Sequence, residues 1–328
     1  MGIEILLWFQ SLRDALGIPF SIFIAILSDV VCYGSVIFAF LIYWCKNKNL
    51  GRALISIYGI SSLINQFLKA TFTVYRPWIK DANIIPTNYA MKGATGYSFP
   101  SSHTQTVSAV NGSLAINKSK KSSLLVNVLI IVFVAFSRLF IGVHTPLDVI
   151  FGILIGGVAI AAYYYYKKII TSNPKKEKNA LLIIFIISLI CIFYALFKKY
   201  PETYINNELL VDSITMKKDS MRCIAIFLAT FIGIYIEKTF IKFSTEGSNN
   251  IKTLRFFFGL FLAIIIFVIS RLTLTLFLPL PFARFLETFF VFIHATAIYP
   301  YLFSKYEDIW MNKLAAIKQK EVSIFPHE

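Results

Sequence analysis

The sequence predicts an all-α, polytopic transmembrane helical bundle of about nine spans, with the N-terminus outside and the C-terminus cytoplasmic. Three observations carry that reading. The 328 residues are 57% apolar and only 15% charged, with a mean hydropathy of +0.69, whereas a soluble domain carries about a quarter charged residues. The apolar residues gather into runs approaching the roughly 20 residues that a bilayer crossing needs. The basic residues between those runs fall unequally on the two sides.

The elements follow in order. Residues 1–17 mix Ile3, Leu6, Leu7, Trp8, Phe9, Leu12 and Leu16 with Glu4, Gln10, Arg13 and Asp14, the pattern of an amphipathic helix lying on the membrane surface. The segment has no basic start and no small-residue cleavage site, so it does not read as a signal peptide. Apolar runs then occur near 20–45, 52–71, 101–117, 122–139, 146–166, 180–197, 220–237, 255–278 and 284–303. Asp29, just after Ser28, reads as the true start of the first span. With the 46–52 loop placed inside, the inner loops hold about twice as many Lys and Arg residues as the outer ones, which sets the orientation. Two longer connections, 72–100 and 198–219, fall outside. The stretch Thr171 to Lys178 is a charged inner linker, and no internal repeat is visible.

The net charge of +15 raises nucleic acid as a partner. The basic residues lie in short clusters between apolar runs and form no continuous stripe, so a positive inner face accounts for them and nucleic acid is excluded. Cys32, Cys45, Cys191 and Cys223 sit in or at the edges of apolar runs with no metal-ligand spacing, and read as apolar fillers.

Ionisable residues at membrane depth are costly and point to function. Three groups stand out, all at the outer ends of predicted spans. Lys69-x6-Arg76-Pro77 places two cations two turns apart, on one face if the helix continues, before Pro77 stops it; snorkelling of interfacial cations is the plainer reading. Phe99-Pro100-Ser101-Ser102-His103 follows a Gly-containing loop and opens the third span, and a helix N-terminus there favours an anion. Ser137-Arg138-x5-His144-x3-Asp148 spans the loop between the fourth and fifth spans. Asp148 has two readings that stay open: the last member of a Thr145-Pro146-Leu147-Asp148 capping box, or the partner that sets the tautomer of a nucleophilic His144. Snorkelling does not account for the histidines or for their convergence on one membrane face.

Together these groups resemble the three-part signature of the type 2 phosphatidic acid phosphatase superfamily, which includes bacterial lipid phosphatases, glucose-6-phosphatase and vanadium haloperoxidases. The resemblance runs directly over 69–148 and more generally over about 1–168. It implies that Lys69, Arg76, Arg138 and Ser101, with the backbone N–H groups of Ser102 and His103, hold the phosphoryl oxygens. It implies further that His144 attacks phosphorus, His103 protonates the leaving oxygen, and Asp148 orients His144. No metal or other cofactor is implied, because fixed cations neutralise the phosphate. Ser102 stands where the commonest family pattern has Gly; it keeps the backbone N–H and adds a hydroxyl near the phosphate.

On this reading 1–17 is the interfacial helix, 18–168 the catalytic transmembrane core, 169–179 a cytoplasmic linker, 180–304 an additional four-span region and 305–328 a cytoplasmic tail. The implied substrate is a lipid phosphate reached from the extracytoplasmic face of the plasma membrane: undecaprenyl pyrophosphate, phosphatidic acid or phosphatidylglycerol phosphate. Heavy Ile, Lys and Asn usage suggests a low-GC bacterium, and cell-wall lipid recycling puts undecaprenyl pyrophosphate first. A sugar phosphate, or an anionic-lipid carrier that needs no His144, are the rival readings. In the second half, Arg222, Arg271, Arg284, Glu287 and His294 lie in or beside spans. They either line a path or second headgroup site, or pair with one another. The oligomeric state is not legible.

Overall fold

The computed structural model describes residues 2–117, 121–173, 175–201, 204–205, 208–209, 211–307 and 309. The described chain is a helical bundle, and each of the nine apolar runs falls on a helix. Lys118, Lys120 and most of the 305–328 segment lie outside the described residues.

Helix α1 (Gly2–Leu16) turns Leu6, Phe9 and Arg13 inward and packs on the two helices α2 (Ile18–Cys45) and α7 (Lys121–Phe140), leaving Trp8 exposed. Gly17 at φ 85° makes the break into α2, with Pro19 in its first turn. Asp29 therefore lies well inside α2 and does not mark the start of the span. The helix begins at Ile18 because Pro19 and the apolar residues after it build its first turns unaided.

Helix α3 (Lys48–Phe72) is capped by Asn47, whose side chain accepts the Leu50 N–H, and ends at Thr73 in the left-handed region. The helix does not continue to Arg76, so Lys69 and Arg76 do not share a helix face. Arg76 instead leads into the single turn α4 (Pro77–Lys80). The short α5 (Asn88–Gly93) completes this connection before α6 (Ser102–Asn117).

Helix α8 (Pro146–Ser172) follows α7 after a tight loop. It runs past the end expected for the fifth span, and α9 (Lys175–Phe197) starts at Lys175, so little of 169–179 is left outside helix. A two-residue hairpin, β1 (Tyr204–Ile205) and β2 (Glu208–Leu209), precedes α10 (Ser213–Ile236). The bundle closes with α11 (Asn249–Phe277) and α12 (Leu280–Ile293). A π-helical turn follows α12 over His294–Ile298, and its carbonyls at Ala295 and Thr296 accept from Trp44 Nε1 at 2.9 Å and Tyr43 OH at 2.8 Å. These bonds tie the last helix to the first half of the chain.

Among the described residues, seven helical segments are long and apolar enough to cross a membrane: α2, α7, α8, α9, α10, α11 and α12 with their helical extensions. Helices α3 and α6 are not among them, and packing gives the reason. Helix α6 is enclosed by α2, α3, α7 and α8, and α3 by α2, α6, α8 and α10. Their polar side chains bond to protein, as when Asn111 Nδ2 donates to Ser35 Oγ at 2.9 Å and Gln66 Nε2 to Ser220 Oγ at 3.1 Å. A helix shielded from lipid does not need an apolar surface all round. On the outside, Leu182, Phe193, Phe257, Phe261 and Ile264 of α9 and α11 remain exposed, as lipid-facing positions should be.

Two glycines set the approach of α8 to α6. A Cβ at Gly152 would stand 2.9 Å from Ser101 O, and one at Gly156 would stand 2.6 Å from Ser108 Cβ. This close crossing brings the N-terminal ends of α6 and α8 together at the end of the bundle where α3 and α7 finish.

Candidate active site

That end carries the residues singled out by spacing. Lys69, in the last turn of α3, is buried and its Nζ donates to Tyr97 O at 2.8 Å and Pro100 O at 3.1 Å. Arg76 is also buried. Its Nε donates to Gly96 O at 2.8 Å and its Nη1 to Val143 O at 3.0 Å. Both cations are held by carbonyl oxygens, which orient them without cancelling their charge.

Arg76 Nη1 also stands 3.1 Å from His144 Nε2. A guanidinium can only donate, so Nε2 must carry the lone pair and Nδ1 the proton. Nδ1 lies 3.5 Å from Asp148 Oδ2. The same carboxylate oxygen accepts the Thr145 N–H at 2.7 Å in a complete capping box. The two readings of Asp148 are therefore one arrangement: the cap holds the carboxylate still, and the carboxylate faces the imidazole. Burial, and after it the Arg76 charge, push His144 well below its ordinary pKa, so the ring is neutral at pH 7.

On the other side, His103 Nε2 stands 3.0 Å from Asp29 Oδ1. Arg138 Nη1 reaches the same oxygen at 3.4 Å, and its Nη2 donates to Ser28 Oγ at 2.5 Å. Ser101 is turned away: its hydroxyl bonds Thr104 Oγ1 at 3.1 Å, and it is absent from the cavity wall. Ser102 does line the cavity, but its hydroxyl donates to Asn65 Oδ1 at 3.0 Å. The hydroxyl thus points to α3, while Ser102 and His103 of the first turn of α6 line the cavity.

The cavity holds about 630 Å³. Lys69, Arg76, Lys92, Arg138 and Arg222 line it against Asp29 and Asp219, together with His103 and His144. The surplus of cations gives the cavity a charge suited to an anion. A match to the PAP2 superfamily covers residues 50–172, taking in every residue of the three groups. A second match, to the PAP2 superfamily phosphatase transmembrane extension, covers 221–308. The chain belongs to the PAP2 superfamily.

Among curated proteins, the chain is similar to an undecaprenyl-diphosphatase of Sulfolobus acidocaldarius, 30% identical over 119 residues, which is 36% of this chain and 55% of that protein. It is also similar to a probable sphingosine-1-phosphate phosphatase of Dictyostelium discoideum, 33% identical over 132 residues, 36% of this chain and 31% of that protein. The chain spans about half the length, or less, of these relatives. No solved structure matches it.

Two residues at the site escaped the sequence reading, Ser98 within the matched PAP2 segment and Asp29 ahead of it. Ser98 is fully buried, and its Oγ donates to Asp148 Oδ2 at 2.5 Å and lies 3.4 Å from His144 Nδ1. Only its place just ahead of Pro100-Ser101-Ser102-His103 could have signalled it. Asp29 was visible as a carboxylate inside an apolar run, the costliest kind of position, but nothing in the sequence linked it to His103. The transmembrane extension also reaches the site. Arg222, Cys223 and Ile226 of α10 line the cavity, with Asp219 just ahead of the matched segment. Of the second-half charges singled out in the sequence, Glu287 is buried among Arg222 at 3.9 Å, Arg271 at 3.6 Å and Arg284 in close contact. His294 lies apart in the π-helical turn, its Nε2 buried without a hydrogen-bond partner among the described residues.

Proposed function

We propose that the protein is an integral membrane phosphatase that hydrolyses a lipid phosphate through a phosphohistidine on His144. The observation that carries this is the His144 ring: a neutral imidazole, its protonated nitrogen toward Asp148 and its lone pair toward the cavity beside Arg76. A poised lone pair next to fixed cations is what in-line attack on phosphorus requires.

In the proposed reaction Lys69, Arg76 and Arg138 take the phosphoryl oxygens, together with backbone N–H groups of the first turn of α6. The phosphate draws the Arg76 donor from Nε2, which then forms the N–P bond as the bond from phosphorus to the lipid oxygen breaks. That oxygen leaves with the electron pair and a proton from His103. Asp148 balances the charge that appears on the imidazole ring. Water next attacks phosphorus and gives its proton to His103, the N–P bond breaks, and phosphate departs. Charge neutralisation comes from side chains throughout, so no metal is needed.

The active site faces the extracytoplasmic side in this proposal. Lys48, Arg52, Lys238, Lys252 and Lys305 lie at the opposite end of the helices, and a basic end belongs in the cytoplasm. The lipid phosphatase reading draws support from the two curated relatives, one of them a diphosphatase by name.

The test is phosphate release by the purified protein in detergent with EDTA present. The substrates are undecaprenyl pyrophosphate, phosphatidic acid, phosphatidylglycerol phosphate and glucose 6-phosphate, with His144→Ala as control. Lipid turnover that survives EDTA and is lost in the variant is the expected result. Release that needs added metal, or that persists without His144, would refute the mechanism. Preference for glucose 6-phosphate would move the substrate from lipid to sugar.

A further inference from the structure

We propose that Arg222 of α10 is a second anion-recognition element of the cavity, and that it takes a second phosphoryl group joined to the one held by Lys69, Arg76 and Arg138. The substrate class is then a lipid diphosphate, cleaved at its terminal phosphorus. This rests on the phosphatase reading above and adds a role for the second half of the chain.

Position comes first. Arg222 lines the same cavity as the phosphate cradle, yet it belongs to a different helix and to the transmembrane extension. The bond from Gln66 Nε2 to Ser220 Oγ at 3.1 Å locks α10 to α3 one turn before Lys69. Lys69 and Asp219 stand close enough for their charges to interact. Arg222 is therefore fixed near the cradle and outside it.

Its donors are available. Arg222 is a third exposed, and its contacts to Asp219 and Glu287 are 3.6 Å and 3.9 Å, beyond hydrogen-bond reach. Glu287 is already engaged by Arg284, and Arg271 stands 3.6 Å away. Three guanidinium groups thus share Glu287 and Asp219. Among the described residues Arg284 Nε is buried without a partner, so the cluster has more donors than acceptors. Of the three, Arg222 is the one that lines the cavity.

Volume and charge agree with a larger headgroup than one phosphate. A cavity of 630 Å³ lies in the range of sites that enclose a whole small molecule. Its lining carries three more cations than carboxylates, closer to a diphosphate monoester than to a monophosphate, which brings at most about two negative charges. When His144 Nε2 bonds to the terminal phosphorus, the bridging P–O bond breaks and its electron pair passes to the departing lipid monophosphate. A guanidinium at that group stabilises the charge where it develops, and His103 supplies the proton to the bridging oxygen.

Diacylglycerol pyrophosphate and phosphatidic acid share one lipid and differ by one phosphate. Their kcat/KM values are measured in mixed micelles for the full-length protein, Arg222→Gln and Arg222→Lys, with folding checked by circular dichroism. The expected result is a preference for the diphosphate that falls at least tenfold in Arg222→Gln and less in Arg222→Lys. A smaller fall, or equal losses on both lipids, overturns the proposal. Turnover of inorganic pyrophosphate as efficient as that of the lipid diphosphate also overturns it, by making a free ion the substrate. A second arm needs no turnover: inorganic pyrophosphate should raise the melting temperature of the wild type more than phosphate does, and the excess should vanish in Arg222→Gln. If neither lipid is cleaved, the phosphatase reading is decided by the other substrates named above, and the second site stands or falls on that excess.

Discussion

Ser98→Ala tests the positioning of the nucleophile at a point that does not touch the substrate. Ser98 Oγ donates to Asp148 Oδ2 at 2.5 Å and is not part of the cavity wall. The substitution leaves the Thr145 N–H at 2.7 Å on the same oxygen, so the helix cap persists while the carboxylate loses its nearest donor. A hydrogen bond to a charged group contributes about 1.5–3 kcal/mol. The part of that energy needed equally in the resting and transition states affects folding, and only the part that grows with charge on the ring affects the rate. If all of it appears in the transition state, the rate falls by about 10- to 150-fold, at 1.36 kcal/mol per factor of ten. The expected outcome is a kcat reduced about tenfold or more with KM nearly unchanged, measured by phosphate release from a lipid diphosphate. Asp148→Asn, which removes the charge as well, should cost more, on the order of 10²–10⁴ as Asp–His pairs do elsewhere. An Ser98→Ala protein of normal thermal stability with wild-type kcat, or with a raised KM alone, would refute the reasoning.

Asp29→Asn should lower kcat by about 10- to 100-fold, since the carboxylate serves both His103 and Arg138 and a bond between charged groups is among the stronger kind; Asp29→Glu should recover part of the loss, and two variants with equal rates would contradict a charge role. The depressed pKa of His144 predicts a ring that stays neutral as pH falls through about 6.5, the ordinary value, and nitrogen chemical shifts of labelled histidine would show it; a ring that titrates near 6.5 would contradict the packing described. The sign for stability follows: the unfolded chain binds this proton and the folded chain does not, so His144 makes the fold lose stability as pH drops below about 6.5. Gly156→Val should destabilise by about 1–3 kcal/mol through overpacking against Ser108, whereas Gly34→Ala, with nothing within 4 Å of the new Cβ, should leave the melting temperature in place; equal shifts would mean that the α6–α8 crossing is not set by Gly156.

The helices were legible because lipid demands long apolar runs, and the cradle was legible because cations and histidines are rare at membrane depth. Spacing revealed less about how those groups meet. Lys69 and Arg76 converge through a left-handed residue at Thr73 and a single turn at Pro77, not along one helix face, and no periodicity encodes that. Asp29 and Ser98 reach the site from 74 and 50 residues away in sequence, by the separations of their contacts to His103 and Asp148. Such contacts depend on how α2 and the 94–101 loop pack, which a single chain does not display. Arg222 and Glu287 were conspicuous as charges, but their sequence positions could not say which faced the cavity. Ser101, placed in the cradle by its motif, spends its hydroxyl on Thr104 at the start of α6. A helix start and an anion site ask for the same residue types, and sequence alone does not separate those uses.

The cradle also shows why the site sits where long polar helices meet and not at the lipid boundary. Lys69 and Arg76 are buried, and burying a charge is costly unless it is hydrogen-bonded. Carboxylates would meet that cost but would also neutralise the cations and compete with phosphate. Carbonyl oxygens of Tyr97, Gly96, Pro100 and Val143 meet it instead, all from irregular backbone between helices. Irregular backbone at the edge of a membrane needs protein around it to satisfy its polar groups, and α3, α6 and α8 provide that enclosure. The two polar helices at the centre of the bundle, α3 and α6, fit the proposed chemistry: they carry Lys69, Ser102 and His103, and the apolar helices outside them carry the contact with lipid. Arg138 departs from this pattern in having Asp29 as a partner, and Asp29 is shared with His103. In the proposed mechanism a carboxylate is useful at that place, because His103 would have to hold a proton for the leaving oxygen and carbonyl-held cations alone would discourage it. The division of the cavity into a carbonyl-held half beside His144 and a carboxylate-held half beside His103 is what the proposed mechanism asks for, with attack on phosphorus on one side and protonation of the leaving group on the other.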